Sequence, residues 1–388
     1  MPIGSTRPRD LRALTGLRFF AAFGVVLFHF GIAYLVGAPA WTLRIVAWGR
    51  VGVSLFFILS GFILAYNYMP RQGEVVPKRR FWVARFARIY PVYLLSIVLV
   101  AFPLSMKAAT SGYAPSGSLG EWLASVLLLQ AWWPSFTLGV NPPTWSLSAE
   151  VIFYAFFPFL VPLLLRIRDA RLVVWLGGVW FVSAIAPLAV LAAYHADPTR
   201  ALDDISTYLV YSGLARLPEF VIGILLCRLF LASSGKVSPG ITAGLAVSGA
   251  IAALAIMSVG NSIPFLIMDQ VALTPAFAAM IFGLAHASGW LARLLSTRPV
   301  VLLGESSYAL YLLHVPIFWS LEVIVPVGAR FTRTFFVMYV GLAIGLSIIV
   351  FRMFEEPARV RIRKALDPQR GAPRAGTENV PIADGTQG

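Results

Sequence analysis

The sequence predicts an all-α, polytopic membrane protein with about ten transmembrane helices and one short re-entrant or interfacial segment. Of its 388 residues, 59% are hydrophobic and only 12% are charged, about half the charged fraction of a typical soluble domain. The apolar residues are also concentrated in runs such as 51–68, 172–194 and 241–259. Helical runs of this length cross a hydrocarbon core of roughly 30 Å. We therefore expect the chain to lie in a lipid bilayer.

Ten apolar stretches are long enough to be membrane spans. In chain order they cover residues 13–36, 51–69, 88–106, 145–165, 172–194, 207–230, 240–260, 264–287, 299–321 and 334–354. A further stretch, 119–133, has only 15 residues and ends at Trp132, Trp133 and Pro134. Segments of this length more often lie at the interface or turn back within the bilayer. We predict that it does not cross.

The distribution of lysine and arginine predicts the orientation of the spans. If 119–133 returns to the side from which it enters, the N-terminal side holds basic clusters at 78–80 and 166–171 and the basic tail from Arg359 onward. The opposite side holds only Arg44, Arg50, Lys107, Arg200, Arg330 and Arg333. Because cytoplasmic loops are enriched in Lys and Arg, we predict that both termini are cytoplasmic. The same rule explains the net charge of +14 without a nucleic-acid partner.

The sequence indicates one membrane domain, residues 13–355. It lies between a cytoplasmic N-terminal segment, 1–12, and a cytoplasmic tail, 356–388, which is basic and then disordered by composition. The first apolar stretch is too long for the core of a cleavable signal peptide, so we expect it to remain as a span. One cysteine, Cys227, and four scattered histidines do not make a zinc-ligand cluster. We predict no metal and no tightly bound cofactor.

The first predicted span contains two ionisable residues, Arg18 and His29, which are costly inside a membrane and need an explanation. Eleven helical positions rotate by roughly 1100°, or about three turns plus 20°, so the two side chains share one face about 16 Å apart along the axis. A histidine removed from water tends to stay neutral and can then accept a proton. The alternative is a structural histidine bonded to a neighbouring helix, with Arg18 reaching the lipid headgroups.

Six motifs occur in order between residue 11 and about residue 355. They are LRALTG at 11–16 followed by Arg18, ten residues and His29; GVSLFFILSGF at 52–62; RFARIYP at 85–91; TWSLSAE at 144–150; RLPEF at 216–220; and SYALYLLHVP at 307–316. Each motif alone is a weak signal, but six in this order are not expected by chance. In these motifs the chain resembles the acyltransferase-3 family of integral membrane O-acyltransferases. We expect a stand-alone membrane domain without the soluble hydrolase-like domain that some members carry.

The resemblance implies transfer of an acyl group, usually acetyl, from cytoplasmic acyl-CoA to a hydroxyl of a carbohydrate or glycosylated acceptor. It implies that His29 is the general base, that Arg18, Arg85 and Arg88 bind the donor, and that the bilayer is the bacterial inner (plasma) membrane. Independently of the family, Arg85 and Arg88 share a helix face at i, i+3 spacing, and guanidinium groups suit phosphate oxygens. The alternative for these two arginines is a positive-inside anchor.

Other motif residues are candidates for the same site. Glu150, which opens the fourth full span, is expected to orient His29 or to hold the acceptor, or alternatively to pair with an arginine. Tyr308, Tyr311 and His314 recur every three residues and either line a pore or belong to an interfacial aromatic belt. The candidates for a pore or acceptor site are Tyr308, Tyr311, His314, Trp145 and Ser148.

Two features of the motifs are expected to be structural. Arg216 and Glu219 lie at i, i+3 spacing inside one span and are expected to neutralise each other. Gly52, Ser60 and Gly61 are expected to permit close helix packing.

Four questions remain open at the level of the sequence. The chain has no G-x-S-x-G nucleophile motif, so we favour direct transfer and leave an acyl-enzyme as the alternative. A secondary transporter of a small polar solute would also suit ten spans with buried ionisable residues, although no internal repeat is visible. A catalytically silent scaffold or sensor would tolerate replacement of His29 or Arg88. The identity of the acceptor does not follow from the residues.

Overall fold

The computed structural model describes residues 11–70, 76–111, 117–197, 199 and 201–366, and within these ranges it contains no β-strand. The all-α fold class is therefore confirmed. The ten longest helices, labelled α1 to α10 in chain order, are Arg12–Val26, Gly52–Tyr68, Lys78–Ser111, Trp145–Leu165, Leu172–Ala196, Gly213–Ser233, Pro239–Ser258, Thr274–Ala285, Ser307–Ile324 and Arg333–Val350. Each overlaps one predicted span.

Nine helical stretches in the described ranges are long and apolar enough to cross a membrane, and together they contain every long helix except α6. Helix α6 has 21 residues, which is about 32 Å of helix. It carries three charged residues, Arg216, Glu219 and Arg228, all of which are buried within the protein. Helix α6 is therefore long enough to span the membrane. Because its three charged side chains are buried against other helices, it can do so without exposing them to lipid.

Two of the differences from the predicted boundaries have a clear local cause. Helix α3 begins at Lys78, ten residues before the predicted span, because lysine and arginine favour helix although they are not apolar. The predicted span 299–321 is divided between Arg298–Glu305 and α9. The break falls at Ser306, where the Ser306 and Ser307 hydroxyls donate to backbone carbonyls of the preceding turn. Such local bonds compete with helix continuation.

The segment 119–133 does not cross the bundle as a helix. Its helix, Leu119–Val126, has eight residues and is therefore only about 12 Å long. Short turns then lead to α4, in agreement with the predicted interfacial or re-entrant segment. After α10, an 11-residue helix, Glu356–Leu366, forms the first part of the predicted tail. The predicted disorder of the last residues and the N-terminal residues 1–10 lie outside the described ranges.

Small residues bring the central helices close together, as predicted. A Cβ atom added to Gly61 of α2 would lie 2.0 Å from the carbonyl oxygen of Phe220 in α6. In the opposite direction, a Cβ on Gly223 would lie 2.1 Å from the Ile58 oxygen. A Cβ on Gly52 would similarly lie 2.5 Å from the Ala21 oxygen of α1. Helices α1, α2 and α6 therefore form a tightly packed centre.

Three short π-helical turns interrupt or flank the long helices. They are Leu27–Gly31 after α1, Met268–Ala272 before α8 and Phe351–Glu355 after α10. The three turns contain His29, Asp269 and Glu355, respectively. Turns of this kind are often found at functional sites, and each of these three residues contacts a charged or titratable side chain on another helix.

Candidate active site

A cavity of about 130 Å³ lies where α1, α2, α3, α4 and α9 converge. A water molecule occupies about 30 Å³ of liquid volume, so the cavity admits a small chemical group rather than a whole cofactor-sized molecule. Its lining residues are Arg18, Val53, Phe56, Phe57, Leu59, Ser60, Ile63, Leu64, Arg85, Arg88, Ile89, Ser146, Leu147, Glu150, Tyr154, Tyr308 and Tyr311. The structure thus brings together six of the predicted site residues.

The lining of the cavity is cationic. Three guanidinium groups, those of Arg18, Arg85 and Arg88, share it with one carboxylate, that of Glu150. Glu150 accepts a hydrogen bond of 2.6 Å from the Tyr154 hydroxyl. Within the described part of the chain, no ion pair joins Glu150 to any of the three arginines, although they share one cavity. Such an excess of positive charge on the wall of a cavity within the helical bundle is suited to an anionic ligand.

The three arginines differ in their partners. Arg85 donates to the Tyr68 hydroxyl at 3.2 Å, with its guanidinium carbon 5.3 Å from the centre of the same ring. Arg88 forms an ion pair with Glu355, which is 1% exposed. Arg18 forms no hydrogen bond or ion pair with any residue that the structure describes. Glu355 was not predicted, because its only signal in the sequence is a carboxylate at the end of the last apolar stretch.

Two tyrosines of α9 form part of the cavity wall. The Tyr308 hydroxyl donates to the Ile89 carbonyl at 2.6 Å, and its ring lies 5.2 Å from the guanidinium carbon of Arg88. The Tyr311 hydroxyl donates to the Pro143 carbonyl at 2.7 Å and contacts the Ser146 hydroxyl at 2.8 Å. Both tyrosines therefore line the predicted site, and their hydroxyls tie α9 to the elements around it.

His29 lies outside the lining of this cavity, in a π turn that continues α1. Its Nδ1 atom is 2.9 Å from the Val25 carbonyl oxygen and 3.2 Å from Nε2 of His314. His314 is fully buried, and its Nδ1 atom is 2.7 Å from the Tyr311 carbonyl oxygen. Since Tyr311 also borders the cavity, α9 links the histidine pair to the arginine cluster. The contact between the two histidines was not predicted.

Trp145 and Ser148 lie on another side of α4 and do not line the cavity. The Trp145 ring packs edge-on against Phe57 and Tyr211, at centroid distances of 6.0 and 4.9 Å. Ser148 is buried beside Trp132, and its hydroxyl has no hydrogen-bond partner among the described residues. At 100° per residue, both positions are more than 130° around the helix from Glu150. The structure does not bring these two candidates to the site.

A second cluster of buried charges involves α2, α6 and the π turn Met268–Ala272. The predicted pair is present, with Arg216 Nε 3.0 Å from Glu219 Oε2. Arg216 also lies 2.8 Å from Asp269 Oδ2, and Arg50 lies 2.9 Å from Asp269 Oδ1. Arg216 further donates to the Ser54 hydroxyl at 2.6 Å. Sequence reasoning missed Arg50 and Asp269, although a carboxylate inside the predicted span 264–287 was a signal.

Comparison with known proteins identifies relatives over most of the chain. Residues 11–352 match the family described as "Acyltransferase domain". The acyltransferase MdmB of Streptomyces mycarofaciens is 32% identical over 327 residues, which cover 79% of this chain and 79% of that protein. The O-acetyltransferase OatA of Staphylococcus aureus strain NCTC 8325 / PS 47 is 25% identical over 387 residues, with 92% of this chain covered.

A third relative has a substrate class in its name. The peptidoglycan O-acetyltransferase OatA of Listeria monocytogenes is 25% identical over 330 residues, covering 79% of this chain. The match spans 49% of the Listeria protein, and that with the Staphylococcus protein spans 58%. Both relatives are therefore much longer than the region they share with this chain. No solved structure matches the chain.

Proposed function

Because the chain belongs to the acyltransferase domain family across residues 11–352, we propose that it is a membrane-embedded O-acyltransferase that uses acyl-CoA. The acyl group, expected to be acetyl, passes to a hydroxyl of a carbohydrate or glycosylated acceptor. The observation that carries this proposal is the intramembrane cavity lined by Arg18, Arg85, Arg88 and Glu150. It offers an excess of positive charge to a donor that is polyanionic.

The arginine cluster supports the proposal that Arg18, Arg85 and Arg88 bind the CoA end of the donor. Guanidinium groups form short, often bidentate, charge-assisted bonds to phosphate oxygens. The cavity of about 130 Å³ suits a phosphate-bearing part of the CoA end, held by the three arginines, from which the acyl end extends along α1 toward His29. Arg85 and Arg88 lie near the first turns of α3, which begins in the basic loop predicted to be cytoplasmic.

The proposed reaction is direct transfer with His29 as general base. His29 removes the proton from the acceptor hydroxyl, and the hydroxyl oxygen forms a bond to the acyl carbonyl carbon. The carbon–sulfur bond of the thioester breaks, and the CoA thiolate leaves and takes up the proton from His29. Acyl-CoA and an alcohol thus become an ester and free CoA, with no enzyme nucleophile required.

Two roles were expected for Glu150, namely orienting His29 or holding the acceptor, and its contacts support the second. Its carboxylate is bonded by Tyr154 and borders the arginine cavity, whereas the hydrogen-bond partners of His29 are Val25 and His314. We therefore propose that Glu150 places substrate groups in the cavity rather than orienting the base. Tyr308 and Tyr311 complete the wall against which those groups pack.

The relatives support a glycan as the acceptor class. One is named a peptidoglycan O-acetyltransferase, and we extend that class of acceptor to this chain as part of the proposal. We place the protein in the bacterial inner (plasma) membrane on the family resemblance, and both termini in the cytoplasm on the distribution of Lys and Arg among the loops. The donor then enters from the cytoplasm and the acceptor is reached from the opposite face.

Transfer of radiolabel from acetyl-CoA into cell-envelope glycan, by membranes that carry the protein, tests the proposed function. Wild-type membranes should transfer label, and His29→Ala should lower the rate by about 10²–10⁴-fold, the usual contribution of a general base. His195→Ala is the matched control, because His195 is exposed at the end of α5. Full activity of His29→Ala at equal protein level would exclude His29 as the base. No transfer by wild type, combined with solute counterflow, would favour the transporter alternative.

A further inference from the structure

We infer that His314 is the positioning residue for the proposed base, accepting the Nδ1 proton of His29 so that Nε2 is the nitrogen that takes the acceptor proton. The inference rests on the proposed function and deepens it by assigning the tautomer and the partner of His29. It starts from the 3.2 Å distance between His314 Nε2 and His29 Nδ1.

Backbone carbonyls determine where the protons of the two imidazoles lie. A carbonyl oxygen only accepts hydrogen bonds, so a ring nitrogen at bonding distance from it must carry hydrogen. His29 Nδ1 lies 2.9 Å from the Val25 oxygen, and His314 Nδ1 lies 2.7 Å from the Tyr311 oxygen. Both rings therefore carry a proton on Nδ1.

The remaining nitrogens then have defined roles. A neutral imidazole with its proton on Nδ1 has a lone pair on Nε2, so His314 Nε2 accepts from the Nδ1–H of His29. That N–H is shared between His314 and the Val25 carbonyl. His29 Nε2 is left unprotonated and has no hydrogen-bond partner among the residues that the structure describes. It is the one nitrogen of the pair that is free to act as a base.

The surroundings of His314 hold it in this arrangement. Its side chain is fully buried, and the Tyr339 hydroxyl donates to its backbone carbonyl at 3.2 Å. Phe30 packs edge-on against the His314 ring at a centroid distance of 6.1 Å and stacks on Phe318 at 3.8 Å. A buried ring fixed in this way directs its acceptor nitrogen at His29.

The pair differs from a base that is oriented by a carboxylate. Within the described part of the chain, neither His29 nor His314 is bonded to an aspartate or glutamate. When His29 takes the acceptor proton on Nε2, its Nδ1–H remains donated to a neutral imidazole, which stabilises the positive charge without burying a negative one. The proton on Nε2 then passes to the leaving thiolate, and the pair returns to its starting state.

Two amide variants separate positioning from packing. His314→Gln can place its carbonyl oxygen near the position of Nε2 and so keep the acceptor for His29. His314→Asn has its amide near Nδ1 and keeps the donor to Tyr311, but it removes the acceptor for His29. We expect His314→Asn to lower kcat for acetyl-CoA-dependent glycan labelling by about 10- to 100-fold, as loss of an orienting partner does for a metal-bound histidine. The KM for acetyl-CoA should be unchanged, and His314→Gln should retain most of the activity.

A spectroscopic measurement tests the tautomer without relying on activity. The chain has four histidines, so ¹⁵N-histidine labelling of the full-length protein in lipid gives few signals, which single-histidine variants assign. We expect His29 to show a protonated Nδ1 and an unprotonated Nε2, and we expect its signals to shift in His314→Asn but not in His195→Ala.

The outcomes distinguish this inference from the proposed function. A His29 that carries its proton on Nε2, or His29 signals that do not respond to His314→Asn, would overturn the pairing. Equal losses in His314→Gln and His314→Asn would show that His314 acts only by packing. If the tautomer is as expected but wild type transfers no label, the pairing stands and the proposed acyl transfer is wrong.

Discussion

At the scale of single residues, the three arginines of the cavity differ in what balances their charge. Arg88 is paired with the buried Glu355, whereas the hydrogen bond and ring contact of Arg85 among the described residues are both with Tyr68. Removing Arg88 would leave an uncompensated buried carboxylate, which is strongly destabilising. Arg85 is therefore the better residue with which to test donor binding, because its loss leaves no buried charge behind.

We predict that Arg85→Gln raises the KM for acetyl-CoA about 10- to 100-fold, since bonds to charged groups contribute roughly 1.5–3 kcal/mol. The variant should fold and insert normally. The measurement is the dependence of the initial labelling rate on acetyl-CoA concentration, at equal protein level.

Arg293→Gln is the control for Arg85, because Arg293 is exposed and belongs to a loop predicted to lie on the same side of the membrane. An unchanged KM for Arg85→Gln would show that Arg85 serves as a membrane anchor, the alternative that the sequence left open.

The second charge cluster is also testable at the residue scale. Asp269 is bonded to two arginines, the half-buried Arg50 and the buried Arg216. Asp269→Asn would remove the negative charge that these two guanidiniums share and leave Glu219 to balance Arg216, so we predict a loss of about 3–5 kcal/mol, typical of breaking a buried ion pair. Thermal unfolding of the purified protein in detergent measures this. Asp204→Asn, at an exposed position, should be neutral, and equal melting temperatures for the two variants would contradict the prediction.

At the scale of helices, close packing of α2 on α6 depends on glycine. A methyl group at Gly61 would meet the Phe220 carbonyl oxygen, a backbone atom that cannot turn away. We predict that Gly61→Ala destabilises the protein by about 1–3 kcal/mol, as overpacking does in well-packed cores. Gly177→Ala is the control, because nothing lies within 4 Å of a Cβ at Gly177. If both variants unfold at the wild-type temperature, the close approach of the two helices is not present in the protein.

Composition was enough to predict the long helices but not their irregularities. The ten spans follow from apolar runs, because a chain in lipid must satisfy its backbone groups within each helix. A π turn adds one residue to a helix without any signal in composition, so the turns at His29, Asp269 and Glu355 were not predicted. The contact between His29 and His314 was also not predicted, because it depends on how two helices that are distant in the sequence pack together.

The candidate site was predicted in part, and the reasons differ from residue to residue. Arg18 was selected as an intramembrane charge and Glu150 from a motif, and the structure places both at one cavity. Trp145 and Ser148 were selected from a motif, but α4 turns them away from Glu150. Helical rotation of 100° per residue would have separated them from the site without any structure. Glu355 required the structure, because only the packing of its π turn brings it to Arg88.

At the scale of the whole molecule, the direction in which the proposed reaction would carry the acyl group depends on the orientation of the bundle. The arginine cavity borders the start of α3 and His29 lies about 16 Å further along α1, so in the proposed reaction the donor and the acceptor would approach from opposite faces. This holds only if the basic loops are cytoplasmic, which the positive-inside rule predicts. The short helix Leu119–Val126 supports that arrangement, because ten crossings return both termini to one side.

The orientation can be tested on the two loops that flank α6. Asp204 and Lys236 are exposed on either side of this helix, and the only cysteine of the sequence, Cys227, is fully buried, so background labelling should be low. We predict that a membrane-impermeant maleimide labels Asp204→Cys in intact spheroplasts, while Lys236→Cys is labelled only after permeabilisation. The reverse pattern would place the arginine cavity on the outer side, away from acyl-CoA. Labelling of both sites in intact cells would show that α6 does not cross the membrane.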